Sequence, residues 1–223
     1  MKISELSNTS LRFITAGGMF IVLALVVLLE ATFPSLHAVR WLSIIVILGA
    51  IYETLTQFRS VDSGVFNKHV KSFIAFFCWL IIMLISAYIV GGYPWIMLWL
   101  LMIIVGADVG GWFFGKVFGG DKMWERLSSH KTWSGQIGGI ICGTLMSVLF
   151  FLIIKPYGND FVFAVLMGIS MSLLSQYGDL TASYIKRCLN IKDFSNLLPG
   201  HGGILDRFDG WIYILPLMWL FIG

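Results

Sequence analysis

Apolar residues gather in seven blocks along the chain, separated by polar stretches of very unequal length. The blocks are Phe13–Leu29, Trp41–Leu55, Phe73–Val90, Tyr93–Val117, Gly135–Ile154, Phe161–Tyr177 and Trp211–Ile222. A helix that crosses the hydrocarbon core of a bilayer needs roughly 17 to 25 apolar residues. The pattern therefore predicts seven membrane helices, the second and last of them short. Gly91-Gly92 followed by Pro94 predicts a tight turn between the third and fourth. The first block is longer than the apolar core of a signal peptide, and no small-x-small cleavage site follows before Trp41, so it is expected to be a retained span. No internal repeat is visible. The expected architecture is all-α: one polytopic membrane domain over 1–223, with N-terminal spans in 13–90 and the motif-bearing spans and loops in 93–223.

Composition agrees with a bilayer setting. The chain is 58% hydrophobic and 12% charged, against about 25% charged in soluble domains. A net charge of +3 is too small to argue for a nucleic-acid partner. Cys78, Cys142 and Cys188 form no C-x-x-C pair, so neither a disulfide framework nor a zinc site is supported. The distribution of charge says more than its sum. The N-terminus and the 56–72, 116–134 and 178–210 segments hold 13 of the 15 Lys and Arg; the opposite connections hold Arg40 and Lys155. The positive-inside bias then predicts a cytoplasmic N-terminus, the three basic segments on the same side, and an external C-terminus.

The polar stretch Ser183–Asp209 carries most of the candidate chemistry. It holds Lys186, Arg187, Lys192 and Arg207 together with Asp193, Asp206, Asp209 and His201, around a Pro199-Gly200-His201-Gly202-Gly203 turn. Both charge signs beside a flexible turn suit metal-bound phosphates. If the sixth helix continues, Asp179, Ser183, Lys186 and Asn190 lie on one stripe, flanked by Arg187, able to hold a metal at its top and phosphates below. The plainer reading is an amphipathic helix at the membrane interface. Asp206 and Asp209 bracket Arg207 and offer two hard oxygen ligands; magnesium favours one or two carboxylates completed by water and substrate phosphate. Capping of the last helix would account for Asp209 alone. Gly202 and Gly203 permit close backbone approach to an anion, or form a plain turn, and His201 could donate to a phosphate or hold structure.

A second constellation runs from Asp108 to Gly139. Asp108 lies inside an apolar block, where a carboxylate points to function or to a partner on a neighbouring helix. Lys131 and Thr132 follow in His130-Lys131-Thr132-Trp133-Ser134-Gly135. Gly111, Gly115 and Gly119, and Gly135, Gly139 and Gly143, recur every four residues. That spacing predicts close packing of the fourth and fifth helices.

Taken together, these residues resemble the signature of the phosphatidate cytidylyltransferases (CDP-diacylglycerol synthases). Ser183, Ile185, Lys186-Arg187, Lys192-Asp193, Ser195, Leu198-Pro199, His201-Gly202-Gly203 and Asp206-Arg207-Phe208-Asp209 all fall in register with it. Upstream, Lys131-Thr132-Trp133 and Gly135 match; Ser134 stands where the family has an acid, and Ser129-His130 lacks its proline. The likeness is strongest over 108–210 and the first three spans carry no comparable signature. It implies cytidylyl transfer from CTP to phosphatidate by a magnesium-dependent enzyme of the bacterial inner membrane, its site facing the cytoplasm. Asp179, Asp206 and Asp209 are the implied metal ligands, with room for a second cation. Lys186, Arg187, Arg207 and His201 are the implied catalytic groups, and Asp108, Lys131, Thr132, Ser183, Lys192, Gly202 and Gly203 the implied substrate contacts. The implied partners are CTP, phosphatidate and the bilayer, with no nucleic acid; a homodimer is compatible with the reading. Two other readings remain: a CTP-dependent transferase for another lipid phosphate, and an ion-coupled transporter with Asp108 and Asp179 on its path.

Overall fold

The computed structural model describes residues 8–124, 128–154, 160–198 and 202–222. Among the described residues eight α-helices dominate: α1 (Asn8–Thr32), α2 (Ala38–Ser60), α3 (Ser63–Val90), α4 (Pro94–Phe118), α5 (Trp133–Ile154), α6 (Phe161–Cys188), α7 (Leu205–Phe208) and α8 (Trp211–Ile222). A short 3-10 turn, Pro34–Leu36, precedes α2. Among the described residues five helical segments are long and apolar enough to cross a membrane, and Gly17–Thr32 and Trp211–Ile222 are shorter apolar helices. The chain is a helical membrane protein.

Several helices outrun the apolar blocks that predict them, because backbone hydrogen bonding does not stop where the side chains turn polar. The second block, expected to be short, lies in the 27-residue segment Pro34–Ser60. α3 starts at Ser63 and not near Phe73, so the expected 56–72 loop contracts to Val61 and Asp62. Asp62 caps α3 by accepting from the Gly64 N–H at 3.0 Å. α6 likewise runs on to Cys188, past the end of its apolar block at Tyr177. Asn190 follows with φ 55°, the left-handed conformation that ends a helix, so it leaves the stripe of Asp179, Ser183 and Lys186. α8 has 12 residues, about 18 Å at 1.5 Å per residue. The all-α expectation omitted one element: Lys122–Trp124 (β1) pairs antiparallel with Ser128–Thr132 (β2) in the loop before α5.

By packing, the chain divides into two compact units, one formed by 1–92 with 185–208, the other by 93–184 with 209–223. In the first, α3 turns Phe73, Phe76, Leu80, Met83, Ala87 and Val90 inward at helical spacing. Ile74, Ile81, Ile85 and Tyr88 point outward, as lipid-facing side chains do. Phe73 sits against the rings of Phe58 and Phe66, at 4.7 and 5.8 Å between centroids.

In the second unit the predicted close approach of α4 and α5 is present. A Cβ on Gly135 would lie 2.8 Å from the Gly111 carbonyl oxygen, and one on Gly139 would lie 2.8 Å from that of Ala107. Small residues at this seam bring the two backbones into contact, the main source of helix association where lipid offers no hydrophobic drive. Gly119 does a different job: it ends α4 at φ 58° with nothing near its missing side chain. Below the seam the fully buried Trp99 donates its indole N–H to Ser147 Oγ at 3.1 Å, and Ser147 donates to the Ala164 carbonyl at 2.7 Å. This chain of bonds joins α4, α5 and α6 and satisfies polar groups that have no water to turn to.

Candidate functional site

In the first unit the polar stretch folds around one carboxylate. Asp206, in the four-residue α7, is buried, its side chain 3% exposed. It accepts from Lys186 Nζ at 2.7 Å, from the Phe194 N–H at 2.8 Å and from the Gly203 N–H at 2.9 Å. Lys186, in the last turn of α6, also lies 5.7 Å over the Phe194 ring. Gly202 has φ 84°, and a Cβ there would meet Asp206 Oδ2 at 3.0 Å, so glycine is needed on both counts. The Leu198 N–H donates to the Gly202 carbonyl at 2.9 Å and closes the loop. His201, between them, lies outside the described residues, as do Pro199 and Gly200. Lys192 and Arg207 are exposed, and Arg187, also exposed, donates to the Ile191 carbonyl at 3.4 Å.

A second carboxylate holds the same stretch from the other side. Glu53 of α2 is buried, 4% exposed. It accepts from Ser195 Oγ at 2.6 Å, from the Ile204 N–H at 2.9 Å and from the Leu205 N–H at 3.1 Å. One turn on, Gln57 donates from Nε2 to the Phe194 carbonyl at 2.6 Å. Sequence reasoning passed over Glu53. The available signal was the rule that flagged Asp108: a carboxylate inside an apolar block, here Ile51-Tyr52-Glu53-Thr54.

In the second unit Lys131 of β2 pairs with Asp179 of α6, Nζ to Oδ2 at 2.5 Å, and reaches the Gln176 carbonyl at 3.3 Å. The Asp179 side chain is 39% exposed and also accepts from Ser183 Oγ at 3.4 Å. Thr132 is the N-terminal cap of α5: its Oγ1 accepts from the Gly135 N–H at 3.2 Å and lies 3.0 Å from Ser134 Oγ. Ser134 in turn donates to the Gly119 carbonyl. A carboxylate at 134 could not make that bond, so the departure from the family pattern is put to structural use. Gly178 allows the Asp209–Gly210 turn against α6; a Cβ there would overlap the Asp209 carbonyl oxygen. Asp209 accepts from the Gly210 N–H at 2.8 Å. Asp108 is exposed on α4.

Among the described residues the candidate groups thus include the cation–carboxylate pairs Lys186 with Asp206 and Lys131 with Asp179. Each joins a residue read as phosphate-binding to one read as metal-binding. Among the described residues no three His, Cys, Asp or Glu side chains form a group that could hold a metal ion. By donor type alone, the carboxylate oxygens of Asp206 in the first unit and of Asp179 and Asp209 in the second suit magnesium, which takes one or two such oxygens and fills its remaining positions with water and phosphate.

Comparison with known proteins identifies the family. The model of the cytidylyltransferase family matches residues 1–223. The phosphatidate cytidylyltransferase of Staphylococcus epidermidis is 31% identical over 228 residues, covering 97% of this chain and 83% of that protein. The Staphylococcus aureus protein of the same name is 30% identical over 230 residues, with the same coverage. The Bacillus subtilis one is 36% identical over 125 residues, 55% of this chain and 45% of its own length. A match that runs the whole length, including helices with no signature of their own, makes this chain a member of the cytidylyltransferase family.

Proposed function

We propose that this protein transfers the cytidylyl group of CTP to phosphatidate, forming CDP-diacylglycerol and pyrophosphate for phospholipid synthesis. The observation that carries the reading is the Lys186–Asp206 pair, 2.7 Å apart and buried at the end of a membrane-length helix within the family's signature stretch. Phosphatidate is mostly dianionic near neutral pH, because a phosphate monoester has its second pKa at about 6. Its own oxygen is the nucleophile. It bonds to the α-phosphorus of CTP as the bond from that phosphorus to the bridging oxygen breaks, and pyrophosphate departs with the electron pair. No protein nucleophile or general base is required. The chain must align the two phosphates in line and neutralise their charge.

Lys186, Arg187 and Arg207 are assigned to phosphate oxygens, Arg207 by its bidentate fork. Lys131 is assigned to the nucleotide phosphates, with Ser183, Lys192, Gly202, Gly203 and His201 as further contacts. Thr132 supports Lys131 by capping α5, and Asp108 belongs to the same motif region. Magnesium held by Asp179, Asp206 and Asp209 would draw charge from the phosphate oxygens. Lys186 and Lys131 pair with two of those carboxylates, which places both ammonium groups where they could also reach a phosphate.

Purified protein incubated with radiolabelled CTP and a panel of lipid phosphates tests the reading. Labelled CDP-diacylglycerol should form with phosphatidate and should vanish with chelator. Product formed only from an isoprenoid or ether-linked phosphate would reassign the acceptor; no product from any would remove the reading. Lys131→Ala should raise KM for CTP roughly 10- to 150-fold, the loss of one charge-assisted contact, with less effect on KM for lipid. A defect confined to the lipid would move Lys131 to the acceptor.

We place the basic segments in the cytoplasm, where CTP is, and the protein in the bacterial inner membrane. Cysteines at Asp121, Asn159 and Asn196, singly in a cysteine-free background, should report this through an impermeant thiol reagent on intact cells. Only the position-159 variant should react before the membrane is opened. Early reaction at 121 or 196 would separate the motifs from CTP.

A further inference from the structure

We infer that Glu53 is a positioning residue for this reaction, the fixed carboxylate on which α2 seats the stretch that carries Asp206 and Arg207. The inference rests on the function proposed above and extends the machinery to a helix that holds none of the family's signature.

The geometry is that of a clamp made by one face of α2. Gly49, Glu53 and Gln57 recur at four-residue spacing, so their side chains share a stripe. At Gly49 the absent side chain leaves a seat for Ile204, whose Cδ1 would lie 2.6 Å from a Cβ there. Glu53 takes the hydroxyl of Ser195 and the amides of Ile204 and Leu205. Gln57 takes the Phe194 carbonyl. None of Glu53's three donors is a cation, so its charge is stabilised by oriented dipoles. A carboxylate so held is fixed in place, because any rotation leaves buried amides unsatisfied. Gly203 fits the same arrangement: a Cβ there would meet Glu53 Oε2 at 2.7 Å.

The bonded amides of Ile204 and Leu205 immediately precede Asp206 in the chain. The same stretch is tied from its inner side by Asp206 to Phe194 and Gly203. Phe194 is therefore held at both ends, its N–H by Asp206 and its carbonyl by Gln57. With Glu53 removed, the amides that open α7 lose their acceptors, and the direction in which Asp206 and Arg207 point is no longer set. Glu53 is buried, and without it Arg207 and Gly203 keep their chemistry and lose alignment, so the larger defect belongs in kcat.

The test uses the full chain in detergent or nanodiscs. For Glu53→Gln, one oxygen becomes an NH2 group that faces an amide donor. Its kcat should fall about 30-fold, within the range for one charged hydrogen bond. KM for CTP and for phosphatidate should each stay within about threefold of wild type by the same reasoning. Hydrogen–deuterium exchange should quicken over 203–208 and stay unchanged in α4 and α5. A kcat within threefold of wild type, with exchange quickened, would overturn the inference, and so would unchanged exchange. If Glu53→Gln gives no folded protein, Gln57→Ala decides by the same two readouts: a fall in kcat of about fivefold with quickened exchange over 194–198 supports the clamp, and unchanged kcat overturns it. Wild-type protein without cytidylyltransferase activity would remove the proposed function itself, a different result from active wild type beside active variants.

Discussion

Asp206→Asn should lose cytidylyl transfer by at least about 100-fold and should also unfold at lower temperature. Both effects follow from its three bonds. Asparagine keeps one carbonyl oxygen for the Phe194 and Gly203 amides, but it offers Lys186 no charge. Stranding one member of a buried pair costs about 3 to 5 kcal/mol, and the side chains of Lys186 and Asp206 are only 12% and 3% exposed. Stability and catalysis can be separated with a second change. Lys186→Met combined with Asp206→Asn removes both charges and should recover much of the lost thermal stability, because a buried pair replaced whole is often neutral. It should not recover turnover, since neither the proposed phosphate cation nor the proposed metal carboxylate is restored. The paired measurement is product formation from CTP and phosphatidate beside thermal unfolding in the same detergent. A double variant that recovered both would reduce the Lys186–Asp206 pair to a structural tie.

The second large effect is expected at Gly178→Ala. The new methyl would overlap the carbonyl oxygen of Asp209, a backbone atom that cannot swing aside, and would sit 3.4 Å from Gly210 Cα. Overpacking costs typically 1 to 3 kcal/mol, and a clash with backbone belongs at the upper end of that range. Transfer should fall at least about tenfold, because the displaced turn carries Asp209 and α6 carries Asp179 at the next position. Gly18→Ala is the control. Nothing lies within 4 Å of a Cβ there, so alanine should be neutral or gain up to about 1 kcal/mol from helix propensity. Thermal unfolding and transfer rate of both variants check this. Gly178→Ala protein with wild-type stability and activity would mean that the contact between α6 and the 209–210 turn is dispensable.

Much of the candidate site was legible because its residues are close in sequence and unusual in their setting. Lys186, Asp206, Gly202 and Gly203 stand in a polar stretch between apolar blocks, so charge in the wrong solvent marked them without any fold. The glycines of α4 and α5 were legible for a similar reason: helical spacing converts a sequence interval directly into a shared face. The partnerships were not legible. That Lys131 answers Asp179 depends on a hairpin that no apolar alternation announced, since Lys122–Trp124 is three residues long. That Lys186 answers Asp206 depends on a loop whose shape is decided by backbone amides, which every sequence has.

Periodicity, length and composition determined by themselves that this chain is a helical membrane protein and where its apolar blocks lie; which charged residues carry the family signature came from the resemblance of the motif. They could do so because the bilayer allows few solutions: backbone groups in hydrocarbon must be satisfied within the segment. Helix ends were beyond that reach, since 56–60, 63–72 and 178–188 are helical although their side chains turn polar. Tertiary structure alone decided that Glu53 belongs with Ser195 and Ile204, residues more than 140 positions away along the chain. It also decided that Ser134 serves the Gly119 carbonyl. The physical reason is common to both. A buried acceptor or donor is defined by the group brought to face it, and that group is supplied by packing, not by neighbours in sequence.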